Sequence, residues 1–121
     1  MTSDEKKAFL LLKSVIFHYH GLDEDEERIL QDTANELNAQ DELAWVNAFI
    51  DEDEFNAFDR ARDFLRNIGE NLDSTMKLRY ITLVWESNKL KGYISEMEAM
   101  AMLRIAEDWH VEKELIAMIK M

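Results

Sequence analysis

The sequence predicts an all-α fold, a compact single domain of about seven short helices spanning residues 1–121. Apolar residues recur at the three- and four-residue spacing of amphipathic helices along most of the chain. The chain contains no proline and three glycines, so few residues interrupt a helix. Nowhere does period-two alternation of β-branched residues outweigh the helical pattern, and we therefore predict no strand. With 47% hydrophobic residues, a chain of this length can bury one core.

The first three predicted helices follow from caps and apolar stripes. Thr2 and Glu5 have the spacing of a capping box, in which each side chain accepts a hydrogen bond from the other residue's backbone N–H. Asp23 is the predicted cap of the second helix, with Glu26 three residues further on. The third helix spans roughly Gln40–Ile50. The three apolar stripes are Ala8, Leu11, Leu12, Val15, Ile16 and Tyr19; Ile29, Leu30, Ala34 and Leu37; and Leu43, Trp45, Val46, Phe49 and Ile50.

The fourth and fifth helices are predicted in the middle of the chain. The fourth begins near Asp51 and ends at Gly69, because glycine is favoured directly after a helix. The fifth starts near Asp73 or Ser74, both of which are good N-cap residues. Their stripes are Phe55, Phe58, Ala61, Leu65 and Ile68, and Leu78, Ile81, Val84 and Trp85.

The last two predicted helices lie beyond Gly92. Ser95 and Glu98 form a further capping box that opens the sixth helix, and the seventh begins at about Glu112. Their apolar residues are Met102, Ile105, Ala106 and Trp109, and then Leu115, Met118 and Ile119.

A weak internal repeat relates the second and third helices to the sixth and seventh. Asp23 and Ser95 lie 72 positions apart, and the same offset aligns Glu26 with Glu98. The unit of helix, glycine turn, capped helix and short helix thus occurs twice, which suggests two related helical halves. Further aligned pairs are Glu24 and Glu96, Ala34 and Ala106, Leu37 and Trp109, Glu42 and Glu114, and Leu43 and Leu115.

The chain is strongly acidic, and its charge is unevenly distributed. The formal net charge is −12; residues 1–56 contain 15 acids and 4 bases, whereas residues 57–121 contain 11 acids and 10 bases. An acidic face repels nucleic acid and anionic lipid, and it suits cations, basic partners or solvation alone. The absence of cysteine excludes disulfides and thiolate chemistry. Without a transmembrane segment or a signal-peptide core in the sequence, we expect a cytoplasmic protein.

The stretch HYHGLDEDEE, residues 18–27, supports two interpretations. As the junction between two helices, it places His20 near free carbonyl groups and its carboxylates near free N–H groups, where each is favourable. As a divalent-cation site, it offers the carboxylate oxygens of Asp23, Asp25 and Glu26, which hard cations prefer. Both interpretations remain open from the sequence.

Several catalytic and binding patterns are excluded. An EF-hand counted from residue 23 would need glycine and glutamate where the chain has Arg28 and Ala34. Glu107 and His110 form one Glu-x-x-His element, but a di-iron site needs two. A helix–turn–helix over residues 94–119 would begin its second helix with acids, which argues against DNA reading. With no nucleophile, phosphate-loop or zinc-protease motif in the sequence, we expect a protein that is not an enzyme.

The two glycine turns with their capped helices also resemble the TerB-like family, named for tellurite-resistance proteins. The resemblance is carried by GLDEDE at residues 21–26 and GYISEME at residues 92–98. It implies a compact domain of about seven helices and a cytosolic, non-enzymatic role in stress or metal responses. It also implies that helix-start acids, here Glu26 and Glu98, take part in metal binding.

Two functional hypotheses follow. The first is a small acidic adaptor protein similar to the TerB-like family, with a divalent cation at the helix-start carboxylates and a protein partner. The second is an acidic interaction protein, such as an immunity factor or a nucleic-acid mimic, that binds a basic partner through residues 1–56.

Overall fold

The computed structural model describes residues 1–18, 23–89 and 94–120, and these contain seven α-helices and no strand. The predicted all-α fold is therefore confirmed. The helices are α1 (Ser3–Phe17), α2 (Glu24–Leu37), α3 (Gln40–Glu52), α4 (Ala57–Gly69), α5 (Ser74–Lys89), α6 (Glu96–Asp108) and α7 (Glu112–Ile119).

Helix α1 is the central element of the fold. Every residue from Ala8 to Phe17 is buried, and the helix contacts α2, α3, α4, α5 and α6. A helix that is apolar around its whole circumference is one that other helices surround. One side of α1, including Leu12 and Ile16, packs with α5, α6 and α7, whereas the opposite side, including Leu11 and Val15, packs with α2 and α3. The helices thus share α1 as a common core.

The predicted capping boxes are present at all three sites. At α2, the backbone N–H of Glu26 donates to Asp23 Oδ1 over 2.8 Å, and the N–H of Asp23 donates to Glu26 Oε1 over 3.2 Å. Ser95 and Glu98 exchange the equivalent bonds at α6, each over 3.1 Å. Thr2 caps α1 in the same way. Each box satisfies N–H groups that a helix start otherwise leaves without partners.

The turns that follow α2 and α6 share one geometry, whereas the predicted glycine turns at Gly21 and Gly92 lie outside the described residues. Asn38 and His110, 72 positions apart, both adopt a left-handed conformation, with φ of 52° and 60°. The N–H of the next residue donates to the C=O of Ala34 in the first unit and of Ala106 in the second, over 2.8 Å in both. The capped helix, its left-handed end and the following helix therefore occur twice.

The start of α4 differs from the sequence prediction. Helix α3 continues into the acidic run Asp51–Glu54, and α4 begins only at Ala57. Phe55, which the sequence placed in the apolar stripe of this helix, is 96% exposed. The reason is a local turn, because both oxygens of the Asp53 carboxylate accept hydrogen bonds from Asn56. Such side-chain bonds to nearby backbone compete with helix formation.

The end of α6 packs against α4 through Asp108 and Trp109. Gly69, predicted to follow α4, is its last residue, and a Cβ there would lie 2.7 Å from the indole nitrogen of Trp109. That nitrogen donates to the C=O of Leu65 over 2.8 Å. One turn away, Arg62 forms two hydrogen bonds with Asp108, of 2.8 and 2.9 Å. Glycine is needed because the indole occupies the space of a side chain.

Candidate protein-interaction surface

Of the stretch HYHGLDEDEE, the structure describes His18 and residues 23–27. His18 Nδ1 donates to the C=O of Ser14 over 2.8 Å and so continues the hydrogen bonding of α1. The predicted turn residues His20 and Gly21 lie outside the described residues, as do Tyr19 and Gly92.

The three carboxylates proposed as cation ligands occupy different environments. Asp23 and Glu26 are joined in the capping box, and Glu26 is completely buried, whereas Asp25 is exposed. Across residues 1–18, 23–89 and 94–120, no three His, Asp or Glu side chains are grouped so that they could hold a metal ion. The capping interpretation is confirmed for Asp23 and Glu26, its His20 part lies outside the described residues, and the cation interpretation stays a prediction.

The two acidic runs of the sequence meet at one cleft. Glu27 of the first run and Asp51 of the second both line a cleft of about 360 Å³, and His18 lies on the same wall. Its other lining residues are Leu30, Gln31, Leu43, Asn47 and Ile50. Carboxylates that are 24 positions apart in the sequence (51 minus 27) thus form one acidic surface.

Phe55 stands on the turn between α3 and α4. Asn56 donates from its side chain to Asp53 over 2.9 Å and from its backbone over 3.3 Å. The side-chain hydrogen bond from Asn56 lowers the pKa of Asp53 below its ordinary value, so the carboxylate stays ionised and keeps both bonds. This turn therefore presents a fully exposed aromatic ring from a hydrogen-bonded backbone.

Arg60, on α4, also holds this turn in place through contacts with the end of α3. Its guanidinium donates to the C=O of Phe49, in the last turn of α3, over 2.9 Å, and pairs with Glu52 over 3.1 Å. It also lies 4.3 Å from the centre of the Phe49 ring. Because Arg60 belongs to α4, these contacts tie the end of one helix to the start of the next.

A second cleft, of about 370 Å³, opens directly beside Phe55. Glu54, Asp59 and Arg104 line it together with His18, which also lines the first cleft. Its remaining residues are Val15, Phe55, Ala57 and Phe58. We call the region formed by His18, Glu27, Asp51, Glu54, Phe55 and Asp59 the Phe55 surface.

A third cleft lies between α1 and α5, away from the acidic runs. It has a volume of about 510 Å³ and includes Phe9, Leu37, Met76 and Leu83 among its lining residues. At its edge the hydroxyl of Tyr80 donates to Glu5 Oε2 over 2.8 Å.

The Tyr80–Glu5 hydrogen bond perturbs both groups. Burial and the contact with Glu5 raise the pKa of Tyr80 to about 12, and the same hydrogen bond lowers the pKa of Glu5. The pair therefore stays as a neutral phenol on an ionised carboxylate over the common pH range.

Lys13 is a buried lysine on the central helix. Its side chain is 4% exposed, and its ammonium donates to Thr33 Oγ1 over 2.6 Å. The ammonium also lies 5.7 Å from the centre of the Phe9 ring. Burial lowers the pKa of Lys13 to about 8, because removal from water disfavours the charged form.

The Glu-x-x-His element at the end of α6 has a structural role. His110 takes the left-handed position after the helix, as predicted for a residue that ends it, and Glu107 is exposed. Between them, Asp108 pairs with Arg62. Burial alone would raise the pKa of Asp108, but the hydrogen bond and charge of Arg62 outweigh it and lower the pKa.

Phe55 and Lys13 were not recognised as special from the sequence. The sequence feature that indicates a turn at Phe55 is the pair Asp53 and Asn56, whose three-residue spacing allows a side-chain hydrogen bond ahead of a helix. The signal for Lys13 was its place inside AFLLLKSVIF, residues 8–17, where apolar residues cover every face of a helix.

Comparison of the chain with protein-family models, with curated proteins and with solved structures gave no match. Among the described residues, no helix combines the length and the apolar character that crossing a membrane requires.

Proposed function

We propose that this chain is a non-catalytic binding protein that holds a basic protein partner against the Phe55 surface. Phe55 is the central contact, and the surrounding carboxylates select positive charge. This is the second of the two hypotheses drawn from the sequence, with the partner-binding region extended beyond residue 56 to Asp59.

The proposal rests on the 96% exposure of Phe55 on a hydrogen-bonded turn. A ring that stays 96% exposed buries almost no apolar area when the chain folds. Aromatic residues are enriched at protein interfaces, and a ring on an ordered turn loses little entropy when a partner buries it. Burying such a side chain in a partner's pocket stabilises a complex by about 2 kcal/mol.

The charges around Phe55 support a basic partner. Five carboxylates, on residues 51–54 and 59, flank the turn, against the guanidinium groups of Arg60 and Arg104. Because Arg60 is already paired with Glu52, the surface keeps a negative excess. Complementary positive charge accelerates association and excludes acidic partners.

The test is selection from a random peptide library displayed on phage, with this protein as bait. We expect selected peptides to be rich in Lys or Arg together with apolar residues. Phe55→Ala should weaken binding of a selected peptide about tenfold or more, as expected from the loss of about 2 kcal/mol. The matched control is Leu83→Ala, because Leu83 is also an exposed apolar side chain (42%) but lies on α5.

Charge is tested with Asp51→Asn, Glu54→Gln and Asp59→Asn combined, against Asp32→Asn, Glu70→Gln and Glu114→Gln combined. All six acids are exposed. Only the first set of substitutions should weaken binding of a selected peptide and make that binding less dependent on salt. Selected peptides without basic residues, or binding that is indifferent to Phe55→Ala, would overturn the proposal.

A TerB-like adaptor in the cytoplasm remains the second candidate. It is favoured by the matched capping boxes, each with a fully buried glutamate, at Glu26 and Glu98. Its cation hypothesis is tested by thermal unfolding with Ca²⁺, Mn²⁺ or Zn²⁺ at fixed ionic strength. A rise in the midpoint that Asp23→Asn with Glu26→Gln abolishes would support it, and an ion-independent midpoint would oppose it.

A further inference from the structure

A line of exposed methionines runs along α6. Met97 and Met100 are 53% and 51% exposed, and Arg104, also exposed, continues the same line. Positions separated by three and then four residues lie on one face of a helix. From Met97 to Arg104 this stripe is about 10 Å long.

The methionine stripe ends at the cleft that Phe55 borders. Arg104, which continues the line of Met97 and Met100, lines this cleft together with Phe55 and Asp59. One turn further along both helices, Arg62 bonds Asp108 and so holds α4 against α6. The exposed methionines of α6 therefore follow directly from the cleft beside Phe55.

Acids border this apolar surface on both sides. Glu54 and Asp59 lie along the α4 side, and Glu96 and Glu107 are exposed at the two ends of the stripe on α6. Arg104 is a base within it, and it shares the cleft with Glu54 and Asp59. An apolar centre with a negative border is complementary to an apolar stripe with positive flanks.

We infer that the segment bound here is a basic amphipathic helix of the partner protein. This inference rests on the proposed function and specifies the form of the ligand. Flexible thioether side chains adapt to differently shaped apolar anchors, and an apolar groove of this kind accepts anchors at helical spacing. Lys and Arg on the flanks of that helix would face the bordering carboxylates.

A helix suits this surface better than an extended segment does. The helices that form it satisfy their own backbone hydrogen bonds, and the described residues include no sheet edge onto which a strand could add. An extended segment lying on Met and Phe side chains would lose water from its N–H and C=O groups without gaining partners. A helix satisfies those groups internally and exposes only side chains.

The test uses two fluorescent peptides of about 18 residues, or five helical turns. Both contain the same numbers of leucine and lysine. One places leucine at helical spacing, and the other has a scrambled order with no apolar face. Fluorescence anisotropy measures both affinities, and circular dichroism measures helix formation on binding.

We expect the helical-pattern peptide to bind at least about tenfold more tightly and to become helical when bound. Met97→Gln with Met100→Gln should remove most of that difference, whereas Leu83→Gln, an exposed residue on α5, should leave it unchanged. Equal binding of the two peptides that still depends on Phe55 would overturn the helix inference and leave the proposed function standing. Absence of binding by both would overturn both proposals.

Discussion

Replacement of Lys13 by methionine should stabilise the protein and remove a pH dependence that the buried ammonium creates. Lys13 lies on α1 among buried residues, and its ammonium donates a hydrogen bond to Thr33. Methionine fills a similar volume without a charge to desolvate. Thr33 still donates to the C=O of Ile29 over 2.8 Å, so no buried donor is left without a partner.

The magnitude follows from the two pKa values. In the unfolded chain Lys13 releases its proton near the ordinary pKa of 10.5, whereas in the folded protein the pKa is about 8. Between these values the unfolded state binds more protons, so the free energy of unfolding rises with pH by about 1.4 kcal/mol per pH unit.

Tyr80 reverses this trend at higher pH. Its pKa is about 12 in the folded protein against an ordinary value of 10.0. Above that ordinary value the unfolded state loses the phenol proton first, and stability falls. We therefore expect a stability maximum near pH 10, about 2 kcal/mol above the value at pH 7.

The assay is urea unfolding between pH 7 and pH 11, for the parent protein, for Lys13→Met and for the exposed-lysine control Lys113→Met. The parent and the control should show the rise between pH 8 and pH 10. Lys13→Met should lack it and should be about 1–3 kcal/mol more stable at pH 7. A parent without the rise, or a Lys13→Met variant that keeps it, would show that the buried ammonium of Lys13 is not the source of the pH dependence.

Three further predictions concern stability. Gly69→Ala should reduce the free energy of unfolding by about 1–3 kcal/mol, because the new Cβ must displace Trp109; an unchanged urea midpoint would contradict this. Tyr80→Phe should raise the pKa of Glu5 toward its ordinary value, as an NMR titration can measure, and should abolish the loss of stability above pH 10. Phe55→Ala should change the free energy of unfolding by less than about 0.5 kcal/mol; a larger loss would show that the ring supports the fold.

The sequence predicted those parts of the fold that depend on neighbouring residues. The capping box of Asp23 with Glu26, and that of Ser95 with Glu98, involve residues three apart, and both formed as expected. The prediction was wrong at Phe55, because its three-residue spacing to Phe58 is also the spacing found along the apolar face of a helix. A turn forms there instead, because the Asp53 carboxylate accepts hydrogen bonds from the backbone N–H and the side chain of Asn56.

Features that depend on distant contacts could not be predicted from one sequence. The meeting of Glu27 and Asp51 in one cleft follows from the packing of α2 and α3, which local patterns do not encode. The position of Arg104 in the cleft beside Phe55 likewise depends on the packing of α6 against α4, which the pairing of Arg62 with Asp108 holds together. Such register becomes visible only in three dimensions.

The most direct test of the proposed binding surface is an NMR titration of the isotopically labelled protein with the helical-pattern leucine–lysine peptide. Chemical-shift changes locate the contact residue by residue and need no mutation. We expect the chemical-shift changes to be concentrated at residues 51–59 and 97–104 and at His18. Changes confined to α5 and the cleft beside Leu83, or no changes at all, would contradict it.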